Sequence, residues 1–157
     1  MARMHGRSAV GERCLSKVPH GHWKTSTFIA ALRLDRMGAP FLIEGSANMD
    51  VFAAYVEQVL CPELQPGDVV ILDNLCIHKT VKVTKLIESR GASVRYLPPY
   101  SPDLNPIEMA FAKLKSHMRK AAARTFADLQ AALADSLTRF EPAHCQGFFK
   151  HAQYASN

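Results

Sequence analysis

Four consecutive apolar residues, Val69, Val70, Ile71 and Leu72, stop abruptly at Asp73-Asn74. A short unbroken run rich in β-branched residues has the pattern of a strand buried on both faces, which requires other layers above and below it. An acid at the carboxyl end of such a strand lies on the sheet edge where open α/β folds place their ligands. Asp73 therefore has two readings. It delivers a carboxylate to a site, or it opens an Asp-Asn turn that caps the next helix.

The flanking segments supply the layers. Residues 25–34 and 41–45 read as two antiparallel strands joined by a hairpin connection at 35–40, which contains Gly38 and Pro40. Helical spacing follows over 48–60, with Val51, Tyr55, Val59 and Leu60 on one side and Asn48 or Asp50 at the start. After the apolar run come a helix over 79–89 closed by Gly91, a strand over 93–97 stopped by Pro98-Pro99, and three helices over 106–123, 125–137 and 141–152. Antiparallel strands followed by alternating strands and helices predict an α/β fold, a mixed sheet with helices on its faces.

Composition narrows the class. The 157 residues are 48% hydrophobic and 21% charged, which excludes wholesale disorder and suits one compact domain. No apolar run approaches the roughly 18 residues of a membrane helix, and the basic N-terminus has no apolar stretch behind it. A cytoplasmic protein with no membrane partner is expected. Lys and Arg number 19 against 14 Asp and Glu, a net charge of +5, which favours a polyanionic partner. Cys14, Cys61, Cys76 and Cys145 show no metal-ligand spacing and read as reduced, mostly buried small apolar residues. The opening stretch, MARMHGRSAVGER, has no periodicity and reads as an irregular basic arm.

The second chemical feature is LPPYSPDLNPIEMAFAKLKSHMRK, residues 97–120. Asn105 suits an N-cap with Pro106 at the first helical position, which puts Glu108 in the first turn. At 100° per residue Ile107, Phe111, Leu114 and Met118 share the core face, and Glu108, Lys115 and Arg119 share the face beside it. Glu108 thus borders the core, where it is either a ligand or an acid placed by the helix dipole. Two carboxylates without a zinc motif suit a hard cation such as Mg²⁺. A pair of such ions can drive in-line displacement at phosphorus.

Asp73 within VVILDNLCIHK, followed by LPPYSPDLNPIE ending in Glu108, resembles the second and third acidic positions of DDE-type transposases. The likeness is to the mariner-like bacterial insertion-sequence branch, which has the same spacing of 34 residues between these acids. VPHGHWKTSTFIAAL and AYVEQVL are similar to that branch as well. The resemblance implies an RNase H-like fold that cleaves and transfers DNA strands with Mg²⁺ or Mn²⁺, two ions in the complete site. It implies Asp73 and Glu108 as catalytic metal ligands and Asn74 beside the metal. His78 either orients a phosphate or water or simply touches Asp73. DNA, as transposon ends and target, is the implied partner, bound by a homodimer in a transposition complex at the bacterial nucleoid. Lys115 and Arg119 are the implied phosphate contacts, against the plainer reading of a solvated helix face.

The same resemblance implies a departure. The family's first Asp lies on the first strand, ahead of the MARMHGR-like stretch. That strand, its Asp and the helix-turn-helix region are expected to be absent, which leaves residues 1–157 as a partial catalytic domain, inactive alone. None of Asp35, Glu44, Asp50 or Asp103 is expected to substitute. Two further readings remain: a non-catalytic DNA-binding remnant, and an RNase H-like nuclease of another branch with a third acid in the chain. Trp23 is expected to pack in the core or a hairpin.

Overall fold

The computed structural model describes residues 7–15 and 25–154. Trp23 and the whole VPHGHWK stretch lie outside the described residues. Residues 7–15 are exposed and carry one turn, as expected of an irregular arm.

β1 (Ser26–Leu32) and β2 (Met37–Glu44) form an antiparallel hairpin. β2 begins at Met37 and so absorbs Gly38 and Pro40, which the sequence had placed in the connection. The cause is a bulge. The register shifts between Ile29 and Ala31, Ala39 adopts φ +47°, and its N–H donates to the Glu63 carboxylate at 2.8 Å. Pro40, which has no N–H to give a ladder, fits at such a break.

α1 (Met49–Tyr55) is capped by Asn48, whose side chain accepts from Val51 N–H at 2.9 Å. It runs on as a π-helical turn over Val56–Leu60, so the regular helix is shorter than expected. Its buried face is Phe52, Ala53, Tyr55 and Val56, which corrects the stripe drawn through Val51 and Val59. β3 (Val69–Leu72) pairs in parallel with β4 (Ser93–Tyr96) through α2 (Val81–Glu88). Gly91, at φ +74°, closes the helix where other residues would be strained. α3 (Pro106–Ala121), α4 (Phe126–Leu137) and α5 (Pro142–His151) complete the chain. Thr125 and Asp128 form a reciprocal capping box on α4.

The hairpin separates two cores, and the two-residue period of β1 explains why. Ile29 and Ala31 pack with Phe52, Val56, Val83 and Ile87 beneath α1 and α2. Phe28, Ala30 and Leu32 face the other way, onto Ala110, Leu114 and Met118 of α3, Leu133 of α4 and Cys145 of α5. Cys61 and Cys145 are buried, whereas Cys14 and Cys76 are exposed, so only half of the cysteines follow the expected burial.

The strands form two separate ladders, β1–β2 and β3–β4. β3 was expected to be buried on both faces, yet Val70, Ile71 and Leu72 are half-buried and Val69 is 55% exposed. The reason lies beside it. A cleft of about 830 Å³ runs between β3 and β1, and among the described residues no strand fills it.

One end of the cleft is clamped by Arg33, whose guanidinium donates to both Asp68 oxygens at 2.9 and 3.2 Å. Arg33 and the Gln65 N–H hold the Asp68 carboxyl below the ordinary carboxylate range. Its contribution to stability is therefore complete above about pH 4 and fades as pH falls and the carboxyl protonates. Asp68→Asn is expected to cost about 1 kcal/mol at pH 7, the pair being partly open to solvent, with the gap to wild type closing below about pH 3. Urea unfolding at the two pH values measures this. A gap that persists in acid would contradict it.

Candidate active site

Asp73 stands one residue past β3, where the chain leaves the sheet. Its Oδ1 accepts from the Leu75 N–H at 3.1 Å, an Asx-type turn, and meets His78 Nδ1 at 2.6 Å. The capping alternative fails for α2, because Thr80 caps that helix by accepting from Val83 N–H at 3.3 Å. Both contacts of Asp73 fall on Oδ1, which leaves Oδ2 for a ligand. The side chain is 36% exposed and that of His78 16%. The acid is therefore accessible and its partner largely enclosed.

His78 is fixed from three sides. It ends a 3₁₀ turn over Cys76–His78, and its ring lies 4.2 Å from that of Phe52, centroid to centroid. Its carbonyl accepts from the Tyr96 hydroxyl at 3.2 Å. The histidine thus touches Asp73 directly and restricts the carboxylate to one orientation. Phe52 and Tyr96 went unnoticed in the sequence. Phe52 lies three residues before Tyr55, so helical spacing alone could have placed it on the buried face.

Glu108 sits in the first turn of α3, exposed. Pro106 is at the start of the helix as expected. Asn105 occupies the N-cap position without a side-chain capping bond, and only its carbonyl accepts, from Glu108 N–H at 3.1 Å. The burial of Ala110, Leu114 and Met118 holds α3 against β1 and sets the height of Glu108 over the sheet. Asp73, Asn105 and Glu108 line both the large cleft and a smaller one of about 370 Å³ that Asn74 shares with the 97–102 loop. Two acids with 34 residues between them in sequence are thereby brought to one hollow.

The donor set consists of hard carboxylate oxygens, and one of the two acids is oriented by a histidine that binds it from behind. Carboxylate–histidine pairing of this kind orients ligands at metal sites, and Mg²⁺ is commonly held by one or two carboxylates, with water and phosphate oxygens completing the shell. The residues present fit such an ion. Among the described residues no group of three His, Cys, Asp or Glu is placed to hold a metal. Asp35 is paired with Arg36 at 2.8 Å, and Asp103 lies in the 3₁₀ turn before α3.

The basic residues divide. Lys115 and Arg119 are exposed along α3 and line neither cleft. Lys113 is committed elsewhere: its Nζ donates to the Arg139 carbonyl at 3.0 Å and meets His144 Nδ1 at 2.9 Å. Lys82 lies 3.8 Å from Glu57. Among the described residues no helix is long and apolar enough to cross a membrane.

The sequence model of the family described as DDE superfamily endonuclease matches residues 1–130. No curated protein matches the chain. Two solved structures are similar in fold. The Mos1 strand transfer complex superposes with a TM-score of 0.70 at 17% identity, over 96% of this chain and 47% of that one. The catalytic core domain of BIV integrase gives 0.50 at 15% identity, over 83% of this chain and 97% of that one. The chain thus spans about half the length of the Mos1 chain and most of an integrase core.

Proposed function

Because the chain belongs to the DDE superfamily endonuclease family, we propose that it is the catalytic portion of a transposase, acting in DNA strand cleavage and strand transfer. The observation that carries this reading is the shared hollow of Asp73 and Glu108, with His78 on the inner oxygen of Asp73. Members of this family generally depend on divalent metal. Mg²⁺ or Mn²⁺, two ions in a complete site, would supply activation of the attacking oxygen and stabilisation of the leaving oxygen during in-line displacement.

The residues of the chain divide the remaining work. Asp73 would hold the cation, its Oδ1 being engaged with His78 and the Leu75 N–H and its Oδ2 left open. Glu108, from the first turn of α3, would be the second carboxylate to hold it. Asn74 borders the smaller cleft, where a phosphate oxygen or water can reach its amide. Lys115 and Arg119 meet backbone phosphates farther along α3, in a contact that adds affinity without reading sequence. A third carboxylate comes from a segment beyond the described elements. The partner is DNA, as transposon ends and target, and a homodimeric complex belongs to the same reading.

The test is Mn²⁺-dependent nicking of supercoiled plasmid DNA, by the chain alone and by the chain supplied with a strand ending in aspartate. Nicking is expected to rise at least tenfold with that strand, to vanish in EDTA and to be lost in Glu108→Gln. Nicking unaffected by Glu108→Gln would contradict the assignment. Salt-sensitive DNA binding without nicking in either form would favour a non-catalytic DNA-binding remnant.

A further inference from the structure

The turn that carries Asp73 and His78 makes several of its own backbone bonds. The Leu75 N–H donates to Asp73 Oδ1 at 3.1 Å, the His78 N–H to the Leu75 carbonyl at 3.1 Å, and the Lys79 N–H to the Cys76 carbonyl at 3.2 Å. The His78 carbonyl is served from outside the turn. It accepts from the Tyr96 hydroxyl at 3.2 Å.

Tyr96 reaches that carbonyl from the neighbouring strand. In the parallel ladder it stands opposite Leu72, and the next residue, Leu97, donates its N–H to the Leu72 carbonyl at 2.9 Å. Asp73 follows Leu72 directly, so the tyrosine stands at the level where β3 gives way to the turn. Its hydroxyl also lies 3.4 Å from Thr84 Oγ1 on α2, and Lys79 Nζ lies 5.9 Å from the centre of its ring. One phenol thereby joins β4, the turn and the helix that follows. Aromatic residues are common in strands for packing alone, but packing makes no use of a hydroxyl. Tyr96 is 39% exposed and belongs to neither core, so burial does not account for it.

We propose that Tyr96 is a positioning residue for Asp73, acting through the His78 carbonyl. The hydroxyl fixes the backbone from which the imidazole projects, and the Phe52 ring at 4.2 Å fixes where the imidazole lies. Nδ1 of that imidazole then meets Asp73 Oδ1 at 2.6 Å. Without the hydroxyl the turn keeps its internal bonds but is free to shift against β4, and the carboxylate shifts with it. Metal-binding carboxylates lose affinity when the hydrogen bonds that orient them are removed. The effect on cation affinity rests on the reading of Asp73 as a metal ligand, whereas the effect on the turn does not.

Tyr96→Phe removes the hydroxyl and keeps the ring, its strand preference and its contact with Lys79. The experiment takes two measurements on the whole chain. In the metal-free protein, hydrogen exchange of the His78 and Lys79 amides is expected to quicken about fivefold, the equivalent of one neutral hydrogen bond. The Leu97 amide, which ties β4 to β3, should keep its rate. With Mn²⁺ alone as the probe, affinity read by electron paramagnetic resonance should fall by a similar factor. Asp73→Ala supplies the reference for the cation. If it leaves Mn²⁺ binding unchanged, the reading of Asp73 as a ligand fails, and the exchange rates still decide the role of Tyr96. Unchanged exchange at His78 and Lys79 in Tyr96→Phe would overturn the proposal. Equal quickening at Leu97 would do the same, by making the tyrosine a general support of the sheet. So would wild-type Mn²⁺ affinity in Tyr96→Phe where Asp73→Ala abolishes binding.

Discussion

Asp73→Ala is expected to lower the Mn²⁺-dependent nicking of the chain supplied with the aspartate-ended strand by about a thousandfold or more, to the level of the uncatalysed reaction. A metal that polarises a phosphoryl oxygen contributes several kcal/mol, and three powers of ten correspond to about 4 kcal/mol. Of the two proposed ligands, Asp73 is the more demanding to replace. Its carboxylate is locked by His78 at 2.6 Å and by the Leu75 N–H, on a turn that begins where β3 ends. Glu108 extends from an exposed first turn with more freedom. Asp73→Asn keeps the size and the Leu75 bond but loses the charge, and should fall nearly as far. Circular dichroism should leave both variants folded, since Asp73 is partly exposed and outside both cores. Nicking by Asp73→Ala within tenfold of wild type would remove the residue from the mechanism.

Leu114→Ala is expected to destabilise the chain by about 2–4 kcal/mol, the range for deleting a buried leucine side chain in a core that collapses only partly. Leu114 is 4% exposed and packs α3 on Ala30 and Met37 of the hairpin and on Leu133 of α4. The same contacts position Glu108 two turns earlier, so the loss reaches the site. Nicking should decline before global unfolding, as α3 loosens on the sheet. Chemical denaturation read by circular dichroism gives the stability change. A loss under 1 kcal/mol would mean that α3 is held by something other than this core.

The placement of the two candidate acids was legible in the sequence because two local signals sufficed. An apolar strand stopping at Asp73 and a proline-started helix with Glu108 in its first turn each fix one carboxylate, and the layered fold brings them together. What the sequence did not carry was non-local. The start of β2 depends on Glu63 accepting from Ala39 N–H, a partner 24 residues away. Lys113 looked like any other basic residue of α3, but the Arg139 carbonyl and His144 occupy it. The clearest case is β3. Its four apolar residues report a strand that wants neighbours on each side, and hydropathy cannot show that one edge opens onto a cleft. The exposure of Val69 is the trace of that conflict.

The central claim is that Asp73 and Glu108 hold one divalent cation between them, and iron-directed cleavage of the polypeptide tests it most directly. Fe²⁺ substituted for Mg²⁺, with ascorbate and peroxide, generates radicals that cut the backbone beside its ligands. Cuts concentrated around residues 73–78 and 105–108, suppressed by excess Mg²⁺ and absent in Asp73→Ala, are the predicted result. Cuts placed elsewhere, or a pattern unchanged in Asp73→Ala, would contradict it.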